Sequence, residues 1–386
     1  MIGAARGHPG IPGSIGGVTS LNDLPLRDNL RGLTPYGAPQ LHVPVALNVN
    51  ENTHGIPDAV AGDIVAAMAE AIRTINRYPD REFTELRESL ARYLGHGLTR
   101  ENIWAANGSN EVLQQVLQAF GGPGRSVLGF APTYSMYPLL ASGTGTRWIA
   151  GTRDTDFELS PATARSWVDA ESPDLVFLCS PNNPTGTPLS LDTIAAVYDA
   201  ADGIVVVDEA YAEFGPSDAP SALTLLPGRE RLLVSRTMSK AFAFAGARVG
   251  YLAADPAVTD ALRLVRLPYH LSALTQAAAI AALAHSPEML AMVDDIRGQR
   301  DRLVTELAVL GYRPLRSASN FVLFGGVDDP RGTFEALLAE GVLVRDVGIP
   351  GHLRVTAGTE AETTAFLEAL AGLGQHSAAR PNKLSE

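Results

Sequence analysis

The chain has 386 residues, 46% of them hydrophobic and 19% charged, which is enough for two or three domains around a large core. Its formal net charge of −12, with no block rich in Lys or Arg, argues against a nucleic-acid or anionic-membrane partner. The one cysteine, Cys179, excludes an internal disulfide and a cysteine-based zinc site, and a reducing cytoplasm is the expected location.

Residues 1–20 are rich in Gly and Pro without an apolar core, and are expected to form a disordered lead-in rather than a signal peptide. No apolar run is long enough for a transmembrane helix. Residues 21–50 carry repeated proline breaks and predict an extended arm, with Tyr36 inside Leu33-Thr34-Pro35-Tyr36-Gly37. Ile64, Met68, Ala71 and Ile72 recur at helical spacing and predict a helix over 57–75. Arg77-Tyr78-Pro79-Asp80 breaks it, and a second helix runs from Phe83 to Tyr93. Ala105-Ala106-Asn107-Gly108-Ser109-Asn110-Glu111 then opens a helix with Val112, Leu113, Val116, Leu117 and Phe120 on its apolar face. A Gly-Ser-Asn turn at a helix start suits an anion, and equally suits ordinary N-capping by Ser109 or Asn110.

From there short apolar runs alternate with helical segments, the pattern of an α/β fold with a mainly parallel sheet and helices on both faces. Strands are predicted at 126–130, 175–179, 204–207 and 231–235. Each is followed at once by polar residues: Pro132-Thr133-Tyr134, Ser180-Pro181-Asn182-Asn183, Asp208-Glu209-Ala210-Tyr211, and the lysine stretch. Open α/β sheets bind ligands at the carboxyl ends of their strands, so this shared placement marks a site. Residues 256–310 predict three helical pieces broken at Leu267-Pro268 and Ser286-Pro287, and a smaller α+β segment follows. The expected division is a lead-in (1–20), an N-terminal arm (21–50), a large domain (51–285), a small C-terminal domain (286–374) and a flexible tail (375–386).

The stretch Ser235-Arg236-Thr237-Met238-Ser239-Lys240-Ala241-Phe242 sets one lysine among small and apolar residues, with Arg248 eight positions on. Desolvation favours the neutral amine and makes Lys240 a candidate Schiff-base nucleophile. Thr237, Ser239 and Arg248 suit a phosphate. Together these suggest pyridoxal 5'-phosphate. Metal, kinase, dehydrogenase and serine-hydrolase signatures are absent from the sequence.

Asn183, Asp208, Tyr211, Lys240 and Arg248, in that order, resemble the cofactor set of fold-type I pyridoxal-phosphate transferases. Leu33-Thr34-Pro35-Tyr36, Asn50-Glu51-Asn52, Arg77-Tyr78-Pro79-Asp80, Ser180-Pro181-Asn182-Asn183-Pro184-Thr185-Gly186, Val207-Asp208-Glu209-Ala210-Tyr211, Arg236-Thr237-Met238-Ser239-Lys240 and Leu353-Arg354-Val355-Thr356 narrow this to a resemblance to the histidinol-phosphate aminotransferase family, actinobacterial type, over about 21–373.

The resemblance implies that the large domain binds the cofactor. Lys240 carries it and moves the proton, and Asp208 pairs with its ring nitrogen. Tyr211 and Asn183 bond its ring oxygen, and Tyr134 stacks on its ring. Ser109, Asn110, Thr237, Ser239 and Arg248 hold its phosphate, with Tyr78 reaching the phosphate of a partner subunit in a homodimer. Tyr36, Asn183, Arg345 and Arg354 hold the substrate. The implied reaction converts L-histidinol phosphate and 2-oxoglutarate to imidazole acetol phosphate and L-glutamate, within histidine biosynthesis. An aromatic amino acid as donor is the alternative, followed by a pyridoxal-phosphate decarboxylase. Thr53, where the family usually has proline, and Ala243-Phe244, in place of Gly-Leu, depart from the pattern.

Overall fold

A computed structural model describes residues 24–33 and 37–378. Residues 1–20 and Tyr36 lie outside the described residues, as does most of the expected tail. Two units separate between Tyr36 and Gly37. In the first, Asp28–Leu30 forms a single 3₁₀ turn.

The second unit begins with the short strand β1 (Val45–Ala46), then α1 (Asp58–Ile72) and α2 (Thr84–Leu94). Next come β2 (Ile103–Asn107), α3 (Ser109–Phe120), β3 (Ser126–Ala131), α4 (Met136–Thr144) and β4 (Arg147–Thr152). The alternation continues through α5 (Pro161–Glu171), β5 (Leu175–Cys179), α6 (Leu191–Ala200), β6 (Ile204–Asp208), β7 (Leu232–Thr237) and β8 (Val249–Ala253). These strands make one seven-stranded sheet in the order β2-β8-β7-β6-β5-β3-β4. All neighbours are parallel except β8, which runs antiparallel to both β2 and β7.

The parallel centre explains the continuous apolar runs. Every residue of β5 and β6 is buried, so neither strand alternates. Each fully buried Val, Leu or Phe there contributes about 1.5–3 kcal/mol. Helix starts follow local chemistry: Ser160 before Pro161, Ser190 and Ser272 each accept a backbone N–H of the first turn, as Asp255 does before Pro256. α1 packs on the later helix α8 (Ala273–Ala284), and α7 (Pro256–Val265) packs on α3.

The remainder starts at α9 (Ser286–Val309), which enters with Pro287 in its first turn. A three-stranded antiparallel sheet follows, ordered β12-β10-β9, from β9 (Arg313–Pro314), β10 (Phe321–Gly325) and β12 (His352–Thr356). Between β10 and β12 lie α10 (Pro330–Ala339) and β11 (Val342–Leu343), and α11 (Glu360–Ala378) comes last. β11 pairs in parallel with β1, so the chain just before Asn48 is tied to a strand almost three hundred residues later.

In the large sheet β2, β4 and β8 were not anticipated from sequence, nor were the short strands β1 and β9 elsewhere. β8 fills a stretch that the sequence reading left unassigned: after the lysine stretch, Val249-Gly250-Tyr251-Leu252-Ala253 turns back into the sheet. The helix over 57–75 exists, but Ile72 does not join its buried face. Val60 and Ile64 are buried, whereas Val65, Ile72, Ile75 and Tyr78 are exposed.

Candidate active site

Four strand ends and the segment Asn48-Val49-Asn50 meet at one place. Asp208 closes β6, the one acid in a strand otherwise built of Ile and Val. It is 3% exposed, and its Oδ2 accepts a hydrogen bond from the Tyr137 hydroxyl at 2.8 Å. Its Oδ1 is buried without a partner. Burial pushes the carboxyl up to about 6, against the Tyr137 bond, which pulls it down. No salt bridge to Asp208 forms among the described residues.

Lys240 follows β7 in a loop closed by Met238 N to Val249 O (3.0 Å), Phe244 N to Met238 O (3.1 Å) and Ala243 N to Lys240 O (3.2 Å). Its Nζ donates to the Val49 carbonyl at 3.1 Å. Burial, then the Arg354 charge, lower the amine to about 8, with Glu51 opposing. The neighbouring Asn50 has φ of 58° and donates through Nδ2 to the Tyr211 hydroxyl at 2.9 Å. Asn50 is itself pinned by Thr356 Oγ1 and by Asn320. Tyr211 is buried, edge-on to Phe321 at 5.1 Å, and burial raises its phenol.

Arg354, on β12, is 6% exposed. Its Nη1 donates to Asn183 Oδ1 at 2.5 Å, its Nη2 donates to the Asn48 carbonyl at 2.8 Å, and its guanidinium lies 5.0 Å from the Phe321 ring centre. Arg345 is partly buried and exchanges both backbone hydrogen bonds with Arg354, at 2.9 Å each. The pair is therefore a bridge between two chain segments, with both side chains leaving the same face.

A second cluster sits beside the first. α3 starts at Ser109 with no side-chain cap, so its first N–H groups keep no partner from capping. Ordinary capping by Ser109 or Asn110 is thereby ruled out, and Asn110 Oδ1 is buried without a partner. Arg248, itself at φ 58°, lies so close to Gly108 (φ 85°) that a Cβ there would sit 2.5 Å from Nη2. Thr237 Oγ1 donates to Ser239 Oγ at 2.9 Å and lies 3.1 Å from the Val249 carbonyl, both side chains being buried. Gly250 follows Val249, and a Cβ on it would overlap the backbone of Gly108 and Ser109. Gly250→Ala should thus push α3 off β8. We expect a loss of about 1–3 kcal/mol or more from overpacking, read by thermal unfolding, with weaker cofactor retention. An unchanged melting temperature and unchanged retention would contradict this packing.

Of the sequence-nominated residues, Ser109, Asn110, Thr237, Ser239 and Arg248 form one cluster, and Asn183, Asp208, Tyr211, Lys240 and Arg354 surround the other. Tyr134 is partly buried, with its ring edge-on to Tyr137 at 5.4 Å. Tyr78 stands apart, 79% exposed and stacked on Tyr269 at 4.4 Å. Tyr36 lies outside the described residues. Three contributors were missed. Tyr137, three positions past Tyr134, was given no role, and Asn50 sat inside a quoted motif without one. The Val49 carbonyl carries no side-chain signal.

Residues 43–370 match the family described as aminotransferase class I and II. A histidinol-phosphate aminotransferase of Paenarthrobacter aurescens is 67% identical over 356 residues, covering 92% of this chain and 96% of that protein. One from Frankia casuarinae is 58% identical over 359 residues, covering 90% and 89%. Among solved structures, a Sinorhizobium meliloti histidinol-phosphate aminotransferase in complex with pyridoxal-5'-phosphate superposes with a TM-score of 0.79 at 27% identity, covering 87% of this chain and 92% of that one.

Proposed function

We propose that this chain, which belongs to the class I and II aminotransferases, moves the amino group of L-histidinol phosphate to 2-oxoglutarate, giving imidazole acetol phosphate and L-glutamate. The observation that carries the choice of substrate is the 54–67% identity to histidinol-phosphate aminotransferases across nine-tenths of the chain. No helix among the described residues is long and apolar enough to cross a membrane.

The cofactor is pyridoxal 5'-phosphate, and the residues present fit it. A buried carboxylate without a cation is costly, and Asp208, with its buried and unpartnered Oδ1, would accept a protonated ring nitrogen as that cation. The uncapped start of α3, with Ser109, Asn110, Thr237, Ser239 and Arg248 around it, fits the phosphate. When bound, the cofactor supplies an electron sink for the carbon that loses its proton.

The chain's own residues divide the work as follows in this reading. Lys240, lowered to about 8, keeps a larger neutral fraction than an ordinary lysine, which suits it to carry the cofactor and then shuttle the proton at the substrate carbon. The Tyr211 hydroxyl, steadied by Asn50, and Asn183 would bond the ring oxygen, and Tyr134 would cover the ring. Arg354, with Arg345 at its side, would hold the anionic end of the substrate. Asn183 and the Asn48 carbonyl keep that guanidinium in place, so one planar fork can serve a phosphate and a carboxylate in turn.

The protein works as a homodimer in this reading. Val65, Ile72, Ile75, Tyr78, Leu264 and Leu267 are exposed apolar or aromatic side chains, a surface suited to a second copy. Tyr78, stacked on Tyr269, would reach the partner's phosphate. The division into a large domain (51–285) and a small one (286–374) belongs to the same proposal, with Ser286 opening α9 near the boundary.

The test is a titration of the holoenzyme's visible spectrum with L-histidinol phosphate and, separately, with L-phenylalanine. We expect fast conversion of the aldehyde form of the cofactor to its amine form with histidinol phosphate. A stronger response to phenylalanine would move the substrate assignment to aromatic amino acids.

A further inference from the structure

The wall behind Asp208 holds a group that the mechanism above leaves unused. Tyr137 lies in the first turn of α4 and is fully buried. Its ring is edge-on to both Tyr134 (5.4 Å, 89°) and Phe177 (5.2 Å, 74°), so its hydroxyl has a fixed direction. That direction is toward Asp208 Oδ2, at 2.8 Å. The carboxyl's other oxygen, Oδ1, remains buried and unbonded.

The charged and titratable neighbours are few. Cys179, at the end of β5, faces Tyr137 and Asp208, and burial followed by the Asp208 charge raises its thiol to about 12. Glu209 follows Asp208 along the chain and opposes its ionisation. Arg153, past the end of β4, faces Cys179 and Tyr137 and is itself weakened by burial. The Tyr137 hydroxyl is therefore the one side-chain donor bonded to the carboxylate among the described residues. A phenylalanine would fill the same space, so what the hydroxyl adds is its bond to the carboxylate and its contact with the Cys179 thiol.

We propose that Tyr137 is a positioning residue for the cofactor: its hydroxyl ties Oδ2 of Asp208, keeps that carboxyl ionised, and leaves Oδ1 for the protonated ring nitrogen. This rests on the reading of Asp208 as the ring-nitrogen partner. Tyr137 touches neither substrate nor ring, and acts only through Asp208.

The experiment measures dissociation constants of the cofactor-free full chain for pyridoxal 5'-phosphate and for its carbocyclic analogue, in which the ring nitrogen is replaced by C–H. Tyr137→Phe should weaken pyridoxal phosphate by about tenfold to a hundredfold, the range for a hydrogen bond to a charged group. It should leave the analogue within about threefold, inside the ordinary context-dependence of such contacts. The acid limb of cofactor affinity should also move to higher pH, because Asp208 loses the donor that favours its ionised form. Equal weakening of both ligands, or no weakening of either, would overturn the proposal and leave Tyr137 a packing residue.

Asp208→Asn separates this failure from failure of the premise. If that variant also treats the two ligands alike, Asp208 does not face the ring nitrogen and the proposal falls with it. Should Tyr137→Phe fail to fold, fluorinated tyrosine at 137 replaces it. The stronger donor should then move the acid limb to lower pH, and no movement would overturn the proposal.

Discussion

Replacing Lys240 with alanine should abolish transamination while leaving the fold intact. The loss should reach about 10⁴-fold or more in kcat, since general acid–base catalysis alone is commonly worth about 10²–10⁴ and the covalent hold on the cofactor goes with it. The fold should survive because the side chain contributes one hydrogen bond, from Nζ to the Val49 carbonyl. The loop keeps its own closures, Met238 to Val249 and Phe244 to Met238, and Asn52 still donates to the Ala241 carbonyl.

The same substitution carries a signed pH effect on stability. The amine titrates at about 8 when folded, against an ordinary lysine value of 10.5. Between those values the unfolded chain binds more protons, so the lysine's burden on the folded state is full below pH 8 and fades as pH rises toward 10.5. The unfolding free energy of the cofactor-free variant minus that of the parent should therefore fall across that window. Denaturant melts at several pH values check this. Turnover within about tenfold of the parent would remove Lys240 from the mechanism.

How far the sequence leads can be judged from particular residues. Asp208 and Tyr211 stand out because β6 is an unbroken apolar run, and an acid at its end breaks the pattern where such sheets bind ligands. Asn183 and Lys240 follow β5 and β7 in the same way. The alternation of runs and helices likewise gives the mainly parallel sheet. β8 escapes notice because an alanine-rich loop, with Gly246 its one glycine, leads straight into five apolar or small residues, and its reversed direction depends on pairing partners elsewhere in the sheet. Tyr137 escapes because a buried aromatic in Met136-Tyr137-Pro138-Leu139-Leu140 reads as core, and nothing local reveals a carboxylate seventy-one positions on. The Val49 carbonyl, which holds the Lys240 amine, is backbone and has no residue-type signature. Arg354 was nominated through the family resemblance, but its partners Asn183 and Asn48 become visible only when β12 is placed.

Those partners make Arg354→Ala the second large effect expected. The guanidinium is 6% exposed and spans Asn183 Oδ1 and the Asn48 carbonyl. If it also binds the substrate's anion, removing it should lower kcat/KM by about 10²–10³ in both half-reactions, the usual cost of truncating one partner of a buried charged pair. Arg354→Lys should recover little, since a single ammonium cannot reproduce a planar fork with two fixed contacts. Some of the loss is structural, because two buried acceptors are left unsatisfied at about 1–3 kcal/mol each.

The kinetic part is separable by single-turnover measurements on folded, cofactor-loaded enzyme, with histidinol phosphate and glutamate tested independently. A further readout is independent of turnover. After burial, the Arg354 charge is the next largest cause of the lowered Lys240 pKa, so in the cofactor-free variant the pH midpoint for acylation of that amine should rise. A mutant that loses the histidinol phosphate reaction but keeps glutamate turnover would show that the two anions do not share this arginine. A midpoint that stays in place would show that Arg354 does not act on Lys240 at all.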